Sequence, residues 1–135
     1  MMKKSQLKIA IYIRVASFDQ QTDSVLKKQT DLCRSYIAEN FPEYADIVSK
    51  IPVFEDKGCS AFDLKRPGLR KLIESIVAGK TATFVTPDLS RLHRKPTDTI
   101  KFDQFLKTSG ASAVAVQENV RLGEGGTMGV MEKVI

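Results

Sequence analysis

Histidine and cysteine are nearly missing from this chain, with one of the first and two of the second in 135 residues. Cys33 falls in a helical pattern and Cys59 in a loop. So sparse a set makes neither a disulfide framework nor a zinc site. Both read as free thiols, with Cys33 a core residue. No apolar run approaches the roughly 20 residues that span a bilayer. The opening MMKKSQ is charged but lacks the long apolar segment of a signal peptide. The expectation is a cytoplasmic protein with no membrane partner. A P-loop and an acidic cluster spaced for Mg²⁺ are also missing, as are internal repeats, low-complexity runs and linkers.

What is present is ordinary globular material. Hydrophobic residues make up 42% and charged residues 27%, enough for one domain with a proper core. The net charge of +5 and a pI near 9.3 favour an anionic partner such as nucleic acid.

Apolar, largely β-branched residues from Ile9 to Val15 predict a strand buried on both faces. Arg14 interrupts it near its carboxyl end, and a polar turn with Ser17 follows. Asp23 or Ser24 is expected to cap a helix running to about Asn40, with Val25, Leu26, Gln29, Leu32, Cys33, Tyr36 and Ile37 on one face. A short irregular or helical piece follows Pro42. Ile51 to Phe54 predicts a second strand ending in Glu55 and Asp56. Lys57 to Pro67 reads as a flexible loop, and Pro67 opens a helix with Leu69, Leu72, Ile73, Ile76 and Val77 at core spacing, closed by Gly79.

Thr81 to Thr86 is a β-rich run. A helix capped by Thr97 or Asp98 carries Ile100, Phe102, Phe105 and Leu106 and closes at Gly110. Ala113 to Val116 predicts a further buried strand, and Gln117 to Gly126 a polar, glycine-rich stretch. Strands alternating with amphipathic helices predict an α/β domain: three layers, with a mostly parallel central sheet and helices on both faces. The closing MGVMEKVI reads as the first turns of a helix cut short, so a piece of a longer protein is expected.

Arginines recur at element edges: Arg14 after the first strand, Arg66 before the second helix, Arg91 and Arg94 after the third strand. Loops that follow parallel strands gather along one edge of the sheet, where such folds place their ligands. Guanidiniums gathered there repel one another unless an anion joins them, and their planar fork suits phosphate oxygens. Such a group would bind a phosphodiester and stabilise extra charge on its pentavalent transition state. The plain alternative is surface arginines in ordinary ion pairs with Asp56, Asp88 or Glu55.

YIRVASFDQ, EDKGCSAFDLKRPGL and DLSRLHR, in that order, resemble the catalytic domain of the serine recombinases, the resolvase/invertase family. GEGGTMGVM resembles the segment leading into that family's long dimerisation helix. The resemblance implies an enzyme that cuts and rejoins DNA at specific sites through a 5′-phosphoserine linkage. It implies no metal and no other cofactor, a homodimer that pairs into a synaptic homotetramer, and a separate DNA-binding domain beyond residue 135. By the same resemblance Arg14 matches the arginine beside the nucleophile, and Gln20 and Gln29 match supporting glutamines. Asp56 and Arg66 match the acid and the arginine of a mobile loop, and Arg91 and Arg94 the pair that grips the scissile phosphate.

Two departures accompany the match. The family's serine stands two residues after the arginine, where this chain has Ala16; Ser17, one residue later, is the expected nucleophile. Ser90 replaces an aspartate common before Arg91, and Asp88 is expected to take over its electrostatic role. Ala16 keeps open a catalytically inactive relative that binds DNA or regulates synapsis. A receiver-like or flavodoxin-like domain would need an acidic metal pocket or a flavin site, and neither residue set is found. His93 reads as a variable loop residue, Cys59 lacks a partner histidine, and Met128 and Met131 are expected to pack against a partner subunit.

Overall fold

The computed structural model describes residues 8–16, 20–58, 66–92 and 96–123. Five strands form one sheet: β1 (Ile9–Val15), β2 (Val53–Lys57), β3 (Thr83–Thr86), β4 (Ser112–Ala115) and β5 (Val120–Gly123). Their order is β2-β1-β3-β4-β5. The first four run parallel, and β5 returns antiparallel to β4. Three α-helices flank the sheet among the described residues: α1 (Thr22–Asn40), α2 (Pro67–Val77) and α3 (Pro96–Thr108). The expected three-layer α/β architecture is what forms.

Alternation along β1 divides the core in two. Ile9, Ile11, Ile13 and Val15 pack with Leu26, Cys33 and Ile37 of α1. Ala10 and Tyr12 face the other way, into a cluster with Leu69, Leu72 and Ile76 of α2 and Phe102 and Leu106 of α3. A strand covered on both faces therefore needs no polar side, and all seven β1 residues are buried.

Several elements differ from expectation. α1 starts at Thr22 without a side-chain cap; Asp23 instead sits in the first turn, where it suits the helix dipole and pairs with Lys57 at 3.2 Å. Val25 and Leu32 are exposed, so the buried stripe of α1 is narrower than its apolar set. Val77 is 69% exposed at the end of α2. β2 starts after Pro52 and extends through Glu55, Asp56 and Lys57, because register with β1 continues as far as Val15↔Lys57. α3 opens on Pro96, whose missing N–H costs nothing in a first turn. Pro42–Lys50, by contrast, agrees with the short irregular or helical piece expected there: it is a 3-10 helix kinked at Ile47.

The stretch after β4, expected to be polar loop, instead makes a hairpin. Asn119 adopts φ 54° in its turn, a conformation asparagine tolerates, and Val120 and Leu122 send buried side chains into the α2/α3 cluster. Gly123 (φ 83°) ends β5 where a Cβ would collide with the Ala111 carbonyl, and its amide donates to Asp103 Oδ1 of α3 at 2.5 Å. Among the described residues no helix is long and apolar enough to cross a membrane.

Candidate active site

Parallel register puts Arg14 beside Asp56, both directed to the α2/α3 face at the carboxyl edge of the sheet. Both are almost wholly buried, Arg14 at 2% exposure and Asp56 at 1%. Burying full charges is costly unless every donor and acceptor is met, and the surroundings meet them in detail. The α1 side chain of Gln29 clamps the Arg14 peptide unit: its Oε1 accepts from Arg14 N at 3.2 Å and its Nε2 donates to Arg14 O at 3.1 Å. The Arg14 guanidinium donates through Nη2 to Ser90 O at 2.8 Å and through Nε to Arg91 O at 3.2 Å.

Asp56 works as a helix cap supplied by another element. Its Oδ1 accepts from Gly68 N at 2.7 Å and its Oδ2 from Leu69 N at 3.0 Å, meeting amides that the first turn of α2 leaves without partners. The fit requires glycine at position 68, since a Cβ there would collide with the Glu55 carbonyl. Tyr12 then donates its hydroxyl to Asp56 Oδ2 at 2.7 Å. The same hydroxyl accepts from Arg66 through Nη2 at 2.7 Å and Nε at 3.2 Å. Burial, with the bond to Asp56, raises the Tyr12 pKa well above the usual phenol value, so the hydroxyl stays protonated and bridges anion to cation.

Arg66, the residue before α2, is 4% exposed. It also donates to Leu92 O at 2.6 Å and to Arg91 O. The Arg91 carbonyl thus accepts from both Arg14 and Arg66. Arg91 itself lies on a single 3-10 turn, Leu89–Arg91, returns a bond from Nη1 to Arg14 O at 3.1 Å, and pairs with Asp88 at 3.3 Å. The ordinary ion pair weighed from the sequence exists for this arginine.

The structure therefore joins Arg14, Arg66, Arg91, Asp56, Asp88 and Gln29 in one hydrogen-bonded network. Within it three guanidiniums from segments far apart in sequence meet the carboxylates of Asp56 and Asp88, and planar guanidinium forks gathered in this way suit an anion such as phosphate. Gln20 is exposed ahead of α1. Ser17 and Arg94 lie outside the described residues, as do Cys59, His93, Met128 and Met131. Ala16 follows β1 as an exposed bend. Two participants escaped the reading of the sequence. Tyr12 had one signal, a hydroxyl on an otherwise aliphatic strand two residues before Arg14. Glu118, whose carboxylate accepts from Leu89 N, had none.

Residues 9–134 match the family model described as "Resolvase, N terminal domain". Among solved structures, the N-terminal catalytic domain of TP901-1 integrase is similar at 21% identity and a TM-score of 0.74, over 94% of this chain and 91% of that one. A resolvase family site-specific recombinase from Streptococcus pneumoniae is similar at 19% identity and a TM-score of 0.70, over 94% and 83%. A serine recombinase from Sulfolobus solfataricus is similar at 25% identity and a TM-score of 0.59, over 93% and 75%. No curated protein matches the chain.

Proposed function

The chain belongs to the resolvase family through its N-terminal domain, and on that premise we propose that it is the catalytic domain of a site-specific DNA recombinase. In this reading Ser17 Oγ attacks a phosphodiester, a phosphoserine bond forms to the 5′ side, and the bond to the 3′ oxygen breaks to release a hydroxyl. A freed hydroxyl from another strand reverses the step, so bond energy is conserved in the intermediate. Arg14, Arg66, Arg91 and Arg94 neutralise the charge that builds on the phosphoryl oxygens. Gln29 fixes the end of β1 just ahead of the nucleophile, Gln20 supports the same turn, Asp56 holds the start of α2, and Asp88 orients Arg91.

One observation carries the reading: the Arg91 carbonyl accepts from both Arg14 and Arg66, which gathers three sequence-distant arginines at the ligand edge of the sheet. Residues 1–135 act as a single catalytic domain in the cytoplasm. The full protein works on DNA as a homodimer that pairs into a tetramer, and sequence-selective contacts come mainly from outside this domain. Residues 1–135 alone are accordingly expected to bind DNA weakly; nanomolar sequence-selective binding at physiological salt contradicts that division of labour.

Trapping protein on supercoiled target DNA with the full-length protein tests the chemistry. A covalent 5′-phosphate adduct is expected, lost in Arg14→Ala and Arg91→Ala. Ala16 at the family's serine position favours a second reading, a relative that binds DNA or regulates synapsis without cutting. Any protein-linked 5′ phosphate excludes it.

A further inference from the structure

Glu118 lies in the turn between β4 and β5, far in sequence from every motif that points to the site. Both of its carboxylate oxygens accept from the Leu89 amide, at 3.2 and 3.1 Å. Leu89 opens the short turn that carries Arg91, and that first amide has no partner within the turn itself. Asp88 stands at the cap position, where an aspartate ordinarily turns its carboxylate back onto the backbone of its own turn. Here its side chain makes no such bond. It accepts instead from Ser90 Oγ and from Arg91 Nε. The hairpin supplies the backbone's carboxylate, and the local carboxylate is spent on the guanidinium.

Continued strand pairing presents Glu118 at that spot. Val116 N donates to Thr86 O at 3.0 Å and Gln117 N to Pro87 O at 2.9 Å, carrying β4's register past its end and up to the turn. The consequence extends further, because the carbonyls of Ser90, Arg91 and Leu92 are the acceptors that hold Arg14 and Arg66. We propose that Glu118 is a positioning residue for the arginine cluster: by anchoring Leu89 from the β4–β5 turn, it fixes the carbonyls that aim Arg14 and Arg66 and leaves Asp88 to aim Arg91. The proposal rests on reading that cluster as a phosphate grip.

Nuclear magnetic resonance of the arginine Nε–H groups and backbone amides tests it directly. In Glu118→Ala, solvent exchange of the Leu89 amide and of the Arg14, Arg66 and Arg91 Nε–H groups is expected to accelerate tenfold or more. The core amides of Ile11 and Ile37 should stay within twofold. Glu118→Gln keeps one acceptor oxygen and restores most of the protection, and the neighbouring Gln117→Ala changes none of these signals. The proposal is overturned if the arginine signals in Glu118→Ala match the wild type, or if Ile11 and Ile37 accelerate equally, which marks general loosening. These signals do not depend on DNA cleavage. A wild-type protein that forms no adduct overturns the recombinase reading alone, and unmoved arginine signals overturn the positioning role alone.

Discussion

The two faces of the sheet are built from the same strand and end differently. On the α1 face, Ile9, Ile11, Ile13 and Val15 meet an apolar stripe along the whole length of β1. On the α2/α3 face, Ala10 and Tyr12 begin in an apolar cluster, but the hydroxyl of Tyr12 and the residues beyond it are bound into buried charge. The first face is insured by packing, which tolerates substitution of similar volume. The second depends on a closed set of hydrogen bonds, in which losing one member leaves others stranded. A buried charged network at a sheet edge therefore costs stability on one face, and the other face supplies it.

Substitutions on the two sides sharpen that contrast. The largest effect is expected from Asp56→Ala, which strips two amides of α2 and the Tyr12 hydroxyl of their acceptor; a loss on the order of 4 kcal/mol is predicted by urea unfolding. Ile11→Ala on the packed face should cost about 3 kcal/mol by cavity formation and leave the arginine Nε–H signals unmoved. If Asp56→Ala proves the milder, the polar face is not the fragile one.

Tyr12→Phe comes next, at about 2 kcal/mol. In a double-mutant cycle it should couple to Asp56→Asn by about 1 kcal/mol while adding independently to Cys33→Ala on the far face. Coupling of Tyr12 to Cys33 as large as to Asp56 breaks the separation of the faces.

Alkaline pH probes the packed face. Burial, and to a lesser degree the charge of Asp88, pushes the Cys33 thiol up to about 12 from 9.0. The folded state keeps a proton that the unfolded state loses first, so this contribution is complete below pH 9 and disappears as pH rises toward 12. Stability of Cys33→Ala should accordingly fall less steeply across that window; parallel curves exclude the thiol as a cause.

The smallest effect concerns Thr86, whose Oγ1 is buried and has no hydrogen-bond partner among the described residues. Thr86→Val removes that stranded hydroxyl at nearly constant shape and should stabilise the fold by about 1 kcal/mol.

Much of this was legible in the sequence where one physical signal dominated. The β-branched run of β1, Pro67 and Gly79 bracketing α2, and the alternation of strands with amphipathic helices all lead to the observed layers. β5 escaped because Arg121 and the polar Gln117–Asn119 turn obscure the alternation of Val120 with Leu122. Val25, Leu32 and Val77 fit an apolar pattern, yet the sheet is narrower than the stripe they extend. In the site, the convergence of Arg14, Arg66 and Arg91 follows from strand order, whereas the bridging of Tyr12 and the reach of Glu118 are set by tertiary register that no local pattern encodes.

The central claim is that the arginines serve a nucleophile immediately beyond Ala16. Digesting the trapped protein–DNA adduct and sequencing the modified peptide by mass spectrometry tests it most directly. The account predicts a nucleotide phosphate on Ser17, with no adduct from Ser17→Ala. A phosphate on any other residue, or an undiminished adduct from Ser17→Ala, contradicts it.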